Sequence, residues 1–183
     1  TSGQNNPAAA AGLAGAAVIA AACVLAGGLA WEWRSNVLVG GEPLHLRLDA
    51  VSAFFLALLA VLAGAATVYA QEYWPDADHP RSAPVGRVYW NALIAFMGLV
   101  LLSANGLHFL ISWELFAVSA FFLITLDRRQ REVRNAGWLY LAASHAGTLC
   151  LFAFFALWAS RTGSWELGPM REHLDLAPLF WLA

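Results

Sequence analysis

Long apolar segments with almost no charged residues are the feature that most limits how this chain can fold. A helix that crosses the hydrocarbon core of a bilayer needs about 20 mostly apolar residues. Hydrophobic residues make up 60% of the 183 residues and charged residues only 12%, whereas soluble domains are about 25% charged. We therefore expect an all-α membrane protein, a single membrane domain over residues 1–183. The expected spans are residues 8–31, 48–69, 88–103, 107–126 and 136–160, with the start of another at residue 177.

Charge and cysteine content exclude several classes of function. The net charge is −2, every basic residue except histidine is an arginine, and these arginines are scattered. Nucleic-acid binding is not expected, because it usually requires a basic patch. Cys23 and Cys150 both lie in apolar runs, and two distant cysteines cannot hold an iron–sulfur cluster. The sequence has no glycine-rich phosphate loop and no metal-spaced cysteine and histidine residues, so we expect no cofactor, no metal and no catalytic centre.

The distribution of arginine predicts the orientation. The expected spans alternate in direction, which divides the loops into two sets, and residues 127–134 form a short loop with four arginines. Arginines close to the ends of spans favour the cytoplasmic side. We therefore expect a multi-pass protein of the cell membrane, in bacteria the inner membrane, with loop 127–134 in the cytoplasm. A topological role for these arginines is favoured over lipid or nucleotide binding.

Glu114 is the strongest candidate for a functional residue. It lies thirteen residues before Asp127, which places it roughly 20 Å from the cytoplasmic edge of its helix. The hydrocarbon core is about 30 Å thick, and ionisable residues inside it are costly and mostly functional. Proton translocation is therefore the favoured role. The alternative is a structural carboxylate, neutral or paired with a neighbouring helix.

His145 is expected at nearly the same depth on the next helix. It lies eleven residues after Arg134, or roughly 17 Å from the same edge, so the depths of Glu114 and His145 agree within about 3 Å. A carboxylate beside an imidazole can pass a proton. The depth match does not show that the two side chains face each other, and a core histidine bonded to a backbone carbonyl is the alternative. Thr148 shares the face of His145 and is a possible accessory residue.

Two further titratable residues have plainer explanations. His108 lies near the outer end of the Glu114 helix, where it is either a proton exit or an ordinary interfacial residue, the second being favoured. Asp49 opens a helix, where a carboxylate complements the positive N-terminal end of the helix dipole. Capping explains Asp49 without any chemistry, so both residues are only possible accessories to proton movement.

Three sequence blocks carry a resemblance to a known family. They are "LDAVSAFF" at 48–55, "WELFAVSAFFLI" at 113–124 and "EVRNAGWLYLAASHAGT" at 132–148. Together they resemble the antiporter-like membrane subunits of respiratory complex I, multisubunit cation/proton antiporters and energy-converting membrane hydrogenases. The combination is most similar to the large membrane subunit of hydrogenase-4 and formate hydrogenlyase. It covers about residues 48–160 and implies a partial antiporter-like fold.

The resemblance also implies roles and partners. Glu114 matches the proton-site carboxylate of the family, while His145 and Thr148 stand where complex I relatives often carry a charged pair. The family places a lysine on the following helix and continues through a second inverted repeat, but this sequence contains no lysine. We therefore expect part of a longer or split subunit, whose partners include other membrane subunits, the lipid bilayer, and a chain or segment that supplies lysine-bearing helices.

Three functions are compatible with these residues. The first is a proton-translocating subunit of a redox-driven respiratory or hydrogenase complex, which would itself lack a catalytic centre. The second is a subunit of a multisubunit cation/proton antiporter, which would use the same glutamate. The third is a structural scaffold whose proton path is vestigial.

Overall fold

The computed structural model describes residues 22, 27 and 31–168, and within residues 31–168 a two-stranded sheet precedes four helices. Each of these helices is long and apolar enough to cross a membrane, so the chain is mostly helical and of the multi-pass membrane type. The elements are β1 (Trp31–Val39), β2 (Glu42–Leu48), α1 (Ala50–Tyr73), α2 (Ser82–Leu102), α3 (Gly106–Ile124) and α4 (Arg131–Thr162).

The all-α expectation is wrong, because residues 31–48 form an antiparallel β-hairpin. Trp31, the expected end of the first span, opens β1, and Leu48, the expected start of the second, closes β2. The turn uses Gly40 and Gly41, whose φ angles are 64° and 90°, a conformation that glycine adopts without steric cost. The sequence signal was present: apolar and polar residues alternate on both sides of a Gly-Gly pair. The rest of span 8–31, except residues 22 and 27, and the start expected at residue 177 lie outside the described residues.

Three helices extend beyond the limits set by apolarity. α1 continues to Tyr73 rather than ending at residue 69, α2 begins at Ser82 rather than at residue 88, and α4 covers Arg131–Thr162 rather than 136–160. The added turns contain polar and charged residues such as Arg87 and Glu132. Apolarity marks only the part of a helix that needs to match the hydrocarbon core, while the helical backbone continues into the interface on either side.

Helix α3 lies between its two neighbours in sequence. It packs against α2 and α4, and α1 packs against α2. Gly137 on α4 leaves room for side chains at the end of α3, since a Cβ atom there would lie 2.4 Å from the Thr125 side chain. Many large apolar side chains on the outer faces are exposed, among them Leu62, Leu139 and Leu149. Such faces are suited to contact with lipid or with further membrane helices.

The hairpin and two connecting segments form a hydrogen-bonded layer at one end of the helices. The Ala104 N–H donates to the His45 carbonyl at 3.2 Å, the Leu167 N–H to the Ala104 carbonyl at 2.9 Å and the Gly106 N–H to the Trp165 carbonyl at 2.7 Å. We call this the hairpin end. The α1–α2 and α3–α4 connections lie at the opposite end, which we call the arginine-loop end. Residues 127–134 therefore lie on the side opposite the hairpin.

Candidate functional site

Helix α3 places Glu114 near its middle. The helix begins after Asn105, which is fully buried and whose side-chain oxygen accepts hydrogen bonds from the N–H groups of Leu107 at 2.9 Å and His108 at 3.4 Å. This capping satisfies donors that have no partner within the helix. Glu114 is the ninth of the 19 residues of α3, so its carboxylate lies far from both ends.

Glu114 and His145 lie side by side. Glu114 Oε2 is 3.6 Å from His145 Nε2, which is too long for a good hydrogen bond but short enough for an ionic contact. The second carboxylate oxygen, Oε1, is buried and has no hydrogen-bond partner among the described residues. The structure thus brings the two residues of matched depth together, which helix spacing alone could not establish.

The imidazole of His145 is oriented by its own helix. Nδ1 lies 2.9 Å from the Leu141 carbonyl oxygen, which can only accept, so Nδ1 carries a proton. In the neutral ring Nε2 is then left with a lone pair, and this is the nitrogen that faces Glu114. The alternative role, a histidine bonded to a backbone carbonyl, therefore accounts for Nδ1 only. Nε2 can accept a proton from the Glu114 carboxyl group when that group is protonated.

Two neighbours on α4 differ in their relation to this pair. The Thr148 hydroxyl donates to the Ser144 carbonyl at 3.1 Å, a bond within its own helix, and no contact to Glu114 is observed for it. Tyr140 lies near the Ser144 side chain and near Glu114, and it was not singled out from the sequence. A signal existed, because Tyr140 precedes Ser144 by four residues and therefore lies on the same helical face.

His108 lies apart from Glu114 and His145 and contacts the hairpin instead. It is 3% exposed, and its Nε2 lies 3.1 Å from the Val39 carbonyl oxygen at the end of β1. Its Nδ1 is buried without a hydrogen-bond partner in the described part of the chain. His108 lies six residues before Glu114, about 9 Å along the axis and on a different face of α3. The structure does not bring these two residues together.

Asp49 caps helix α1. Its Oδ1 accepts a hydrogen bond from the Ser52 N–H at 2.8 Å, and Arg47 Nε lies 3.9 Å from its other oxygen. The hydrogen bond from Ser52, assisted by the Arg47 charge, lowers the pKa of Asp49. Asp49 lies at the hairpin end, at the opening of α1, and no contact with Glu114 or His145 is observed for it.

The capping role of Asp49 gives a testable expectation. Asp49→Ala should lower the free energy of unfolding by about 1 kcal/mol, because the Ser52 N–H loses its acceptor. Asp49→Asn keeps that acceptor and should unfold near the parental temperature in detergent. Because the pKa of Asp49 is lowered, its charge-dependent contribution should be present above the ordinary aspartate pKa of about 3.9 and be lost on acidification. An asparagine variant as unstable as the alanine variant would contradict capping and favour the Arg47 contact.

Sequence comparison finds curated relatives. The chain is 30% identical over 135 residues to hydrogenase-4 component B of Escherichia coli, an alignment that covers 74% of this chain and 20% of that protein. It is 29% identical over 130 residues to a probable K⁺/H⁺ antiporter component of Rhizobium meliloti, covering 69% of this chain and 12% of that protein. The chain is homologous to the antiporter-like membrane subunits. It spans at most about a fifth of the length of these two relatives.

The fold agrees with this antiporter-like homology. The structure is similar to a chain of the Mrp complex from Dietzia sp., with a TM-score of 0.70 and 20% sequence identity, over 97% of this chain and 20% of that chain. No protein-family model matches the chain. The resemblance drawn from the three sequence blocks is therefore confirmed by curated relatives over part of their length.

Proposed function

We propose that this chain is part of a proton-translocating, antiporter-like membrane subunit of a redox-driven respiratory or hydrogenase complex. One observation carries the proposal: the Glu114 carboxyl group lies 3.6 Å from Nε2 of His145, in the middle of a membrane-spanning helix. Ionisable residues at that depth are costly and mark ion pathways. The likeness to hydrogenase-4 component B supports the same conclusion.

The pair can hold one proton in two positions. A carboxyl proton on Glu114 Oε2 and a lone pair on His145 Nε2 make a neutral pair, and transfer of the proton makes a carboxylate–imidazolium ion pair. In a medium of low dielectric constant the balance between these states depends strongly on nearby charges. A cation that approaches the pair would stabilise the ionised carboxylate, and its withdrawal would favour uptake of a proton.

The exposure of the Glu114 and His145 side chains supports the proposal that a further helix packs against them. The His145 side chain is 51% exposed and the Glu114 side chain 33%. Leu149, one turn after His145 on the same face of α4, is also exposed. An imidazole that faces lipid would be poorly solvated. We propose that a helix from another segment or subunit, bearing a lysine, covers this face. Residues 1–183 then form one membrane domain of a longer or split subunit.

Two other functions use the same residues. The role of a cation/proton antiporter component is favoured by the similarity to the probable K⁺/H⁺ antiporter protein. Purification of the assembled complex separates this function from the first, because nickel, iron–sulfur or quinone-reactive subunits would accompany only a redox-driven complex. A scaffold with a vestigial path is favoured if coupled proton translocation continues at the parental rate after Glu114 is replaced by glutamine.

The proposed orientation places loop 127–134 in the cytoplasm, and cysteine labelling tests it. In a background with Cys23 and Cys150 replaced by alanine, Gln130→Cys should not react with a membrane-impermeant maleimide added to intact cells. Asn36→Cys, on an exposed part of β1 at the hairpin end, is the matched control and should react. The physical reason is the preference of arginine-rich loops for the cytoplasm. Strong labelling at Gln130 with none at Asn36 would reverse the orientation.

A further inference from the structure

A buried histidine joins three segments at the hairpin end. His45 on β2 is 2% exposed. Its Nδ1 contacts the carboxylate of Glu166, in the segment that follows α4. Its Nε2 lies 2.5 Å from Oε1 of Glu32 on β1. One imidazole therefore has a carboxylate against each of its two ring nitrogens.

Counting donors shows that this arrangement needs an extra proton. A neutral imidazole has one N–H donor and one acceptor nitrogen, whereas an ionised carboxylate can only accept. Two ionised carboxylates can both be satisfied only by the imidazolium; otherwise one carboxyl group must itself be protonated. The Nε2 contact is close but poorly aligned for a hydrogen bond, and this buried nitrogen has no other partner among the described residues. A neutral ring would leave one repulsive lone-pair contact in a buried position.

The charges around the ring also favour an added proton. Arg34 on β1 lies 3.4 Å from Glu32 and 3.8 Å from Glu166. Arg47 is directed elsewhere, since it donates to the Leu167 carbonyl and lies near Asp49. Two carboxylates and one guanidinium leave one negative charge around His45, which a protonated ring cancels. The contact with His45, followed by that with Arg34, lowers the pKa of Glu32.

We propose that Glu32, His45 and Glu166 form a second proton-binding site, at the hairpin end, whose bound proton fastens the hairpin to the segment after α4. The proton is taken from water at that surface and returned to it, and no other bond changes. Loss of the proton removes one of the two contacts and weakens the layer that contains the Ala104–His45 and Leu167–Ala104 hydrogen bonds. This site is separate from Glu114 and His145 and does not depend on their function.

Hydrogen exchange in the purified assembled complex tests the proposal. An unperturbed imidazole titrates near pH 6.5, so exchange of the Ala104 and Leu167 amides is followed from about pH 5 to about pH 9 by mass spectrometry, after correction for the intrinsic pH dependence of exchange. In the parent, protection of these amides should fall by roughly tenfold as pH rises, the scale of one charge-assisted hydrogen bond. In His45→Gln the corrected protection should be independent of pH.

Two further variants keep the test decisive if His45→Gln does not fold. In Glu166→Gln a neutral His45 can accept from the new amide through Nδ1 and donate to Glu32 through Nε2, so the fold should persist and the pH dependence should disappear. His79→Gln removes an imidazole at the arginine-loop end and should leave the pH dependence intact. Parental pH dependence in Glu166→Gln, or its loss in His79→Gln, would overturn the assignment of the proton to this site.

Discussion

Glu114→Gln should strongly reduce or abolish coupled proton translocation while the complex still assembles. Glutamine has the size and hydrogen-bonding capacity of the protonated carboxyl group but cannot ionise, so it cannot deliver a proton to the His145 nitrogen 3.6 Å away. A positioned acid–base group typically contributes about 10²- to 10⁴-fold to the rate of a proton transfer. We therefore expect a loss on that scale, measured as proton uptake into vesicles that contain the assembled complex.

Glu132→Gln is the matched control for this experiment. Glu132 lies in the first turn of α4 at the arginine-loop end and is exposed, so its replacement removes a carboxylate from the same chain without touching the pair. Assembly of each variant is checked by native gel electrophoresis. Translocation at the parental rate in assembled Glu114→Gln would show that the carboxylate is structural, and the scaffold function would take the place of the proposal.

Replacing His145 should slow proton translocation less than replacing Glu114. His145→Gln removes the nitrogen that faces Glu114, so proton translocation should slow. The loss should be smaller than in Glu114→Gln if Glu114 binds the proton first and the imidazole relays that proton or tunes the carboxyl group. Thr148→Ala is a suitable comparison, because within residues 31–168 the Thr148 hydroxyl bonds only to the Ser144 carbonyl of its own helix. This variant should translocate protons near the parental rate. A parental rate in His145→Gln would identify His145 as a packing residue.

Gly137→Leu should destabilise the packing of α4 against α3. A Cβ atom at residue 137 would lie 2.4 Å from Thr125 Cγ2 and 3.2 Å from Phe121 Cε2. Thr125 is held in place by its hydrogen bond to the Phe121 carbonyl at 2.8 Å, so it cannot move away freely. Small residues allow membrane helices to approach closely, and overpacking of such contacts costs about 1–3 kcal/mol. Thermal unfolding of the detergent-purified chain is the measurement.

Gly147→Leu separates packing from helix propensity. Gly147 lies on the same helix, and an added Cβ atom there meets no atom of another described element within 4 Å. Leucine favours the helical backbone by somewhat less than about 1 kcal/mol relative to glycine, so Gly147→Leu should be neutral or slightly stabilising. Equal destabilisation by the two substitutions would mean that close approach of α3 and α4 at Gly137 is not what sets the stability.

The sequence predicts that Glu114 and His145 lie at similar depths, but it does not predict that their side chains face each other. Glu114 and His145 were placed at equal depth because a short arginine-rich loop joins two antiparallel helices of known rise. The rotation of each helix about its axis was not available, since segments that are apolar on all sides carry no amphipathic signal. Tyr140 was missed for the same reason. The face it shares with Ser144 became meaningful only once α4 was seen against α3.

The hairpin was missed because its strands border apolar segments. Trp31 and Leu48 were assigned to spans by hydrophobicity alone, although alternation around Gly40 and Gly41 indicated strands. The contact between His45 and Glu166 could not be predicted from the sequence, because Glu166 lies 121 residues further along the chain. Local sequence patterns predict helices and strands. A contact between residues so far apart in sequence depends on how the helices between them pack.

The distance in sequence between the hairpin and the segment that completes its layer also matters during synthesis. β1 and β2 can pair as soon as residues 31–48 emerge, yet Arg47 reaches its Leu167 partner only 120 residues later. At about 5–20 residues per second, this interval lasts roughly 6–24 s. The edge of β2 itself docks onto Ala104, which lies 59 residues after His45, and until then it is an uncovered strand edge of the kind that pairs readily with other chains. The growing chain is thus most exposed to wrong strand pairing before α2 is complete.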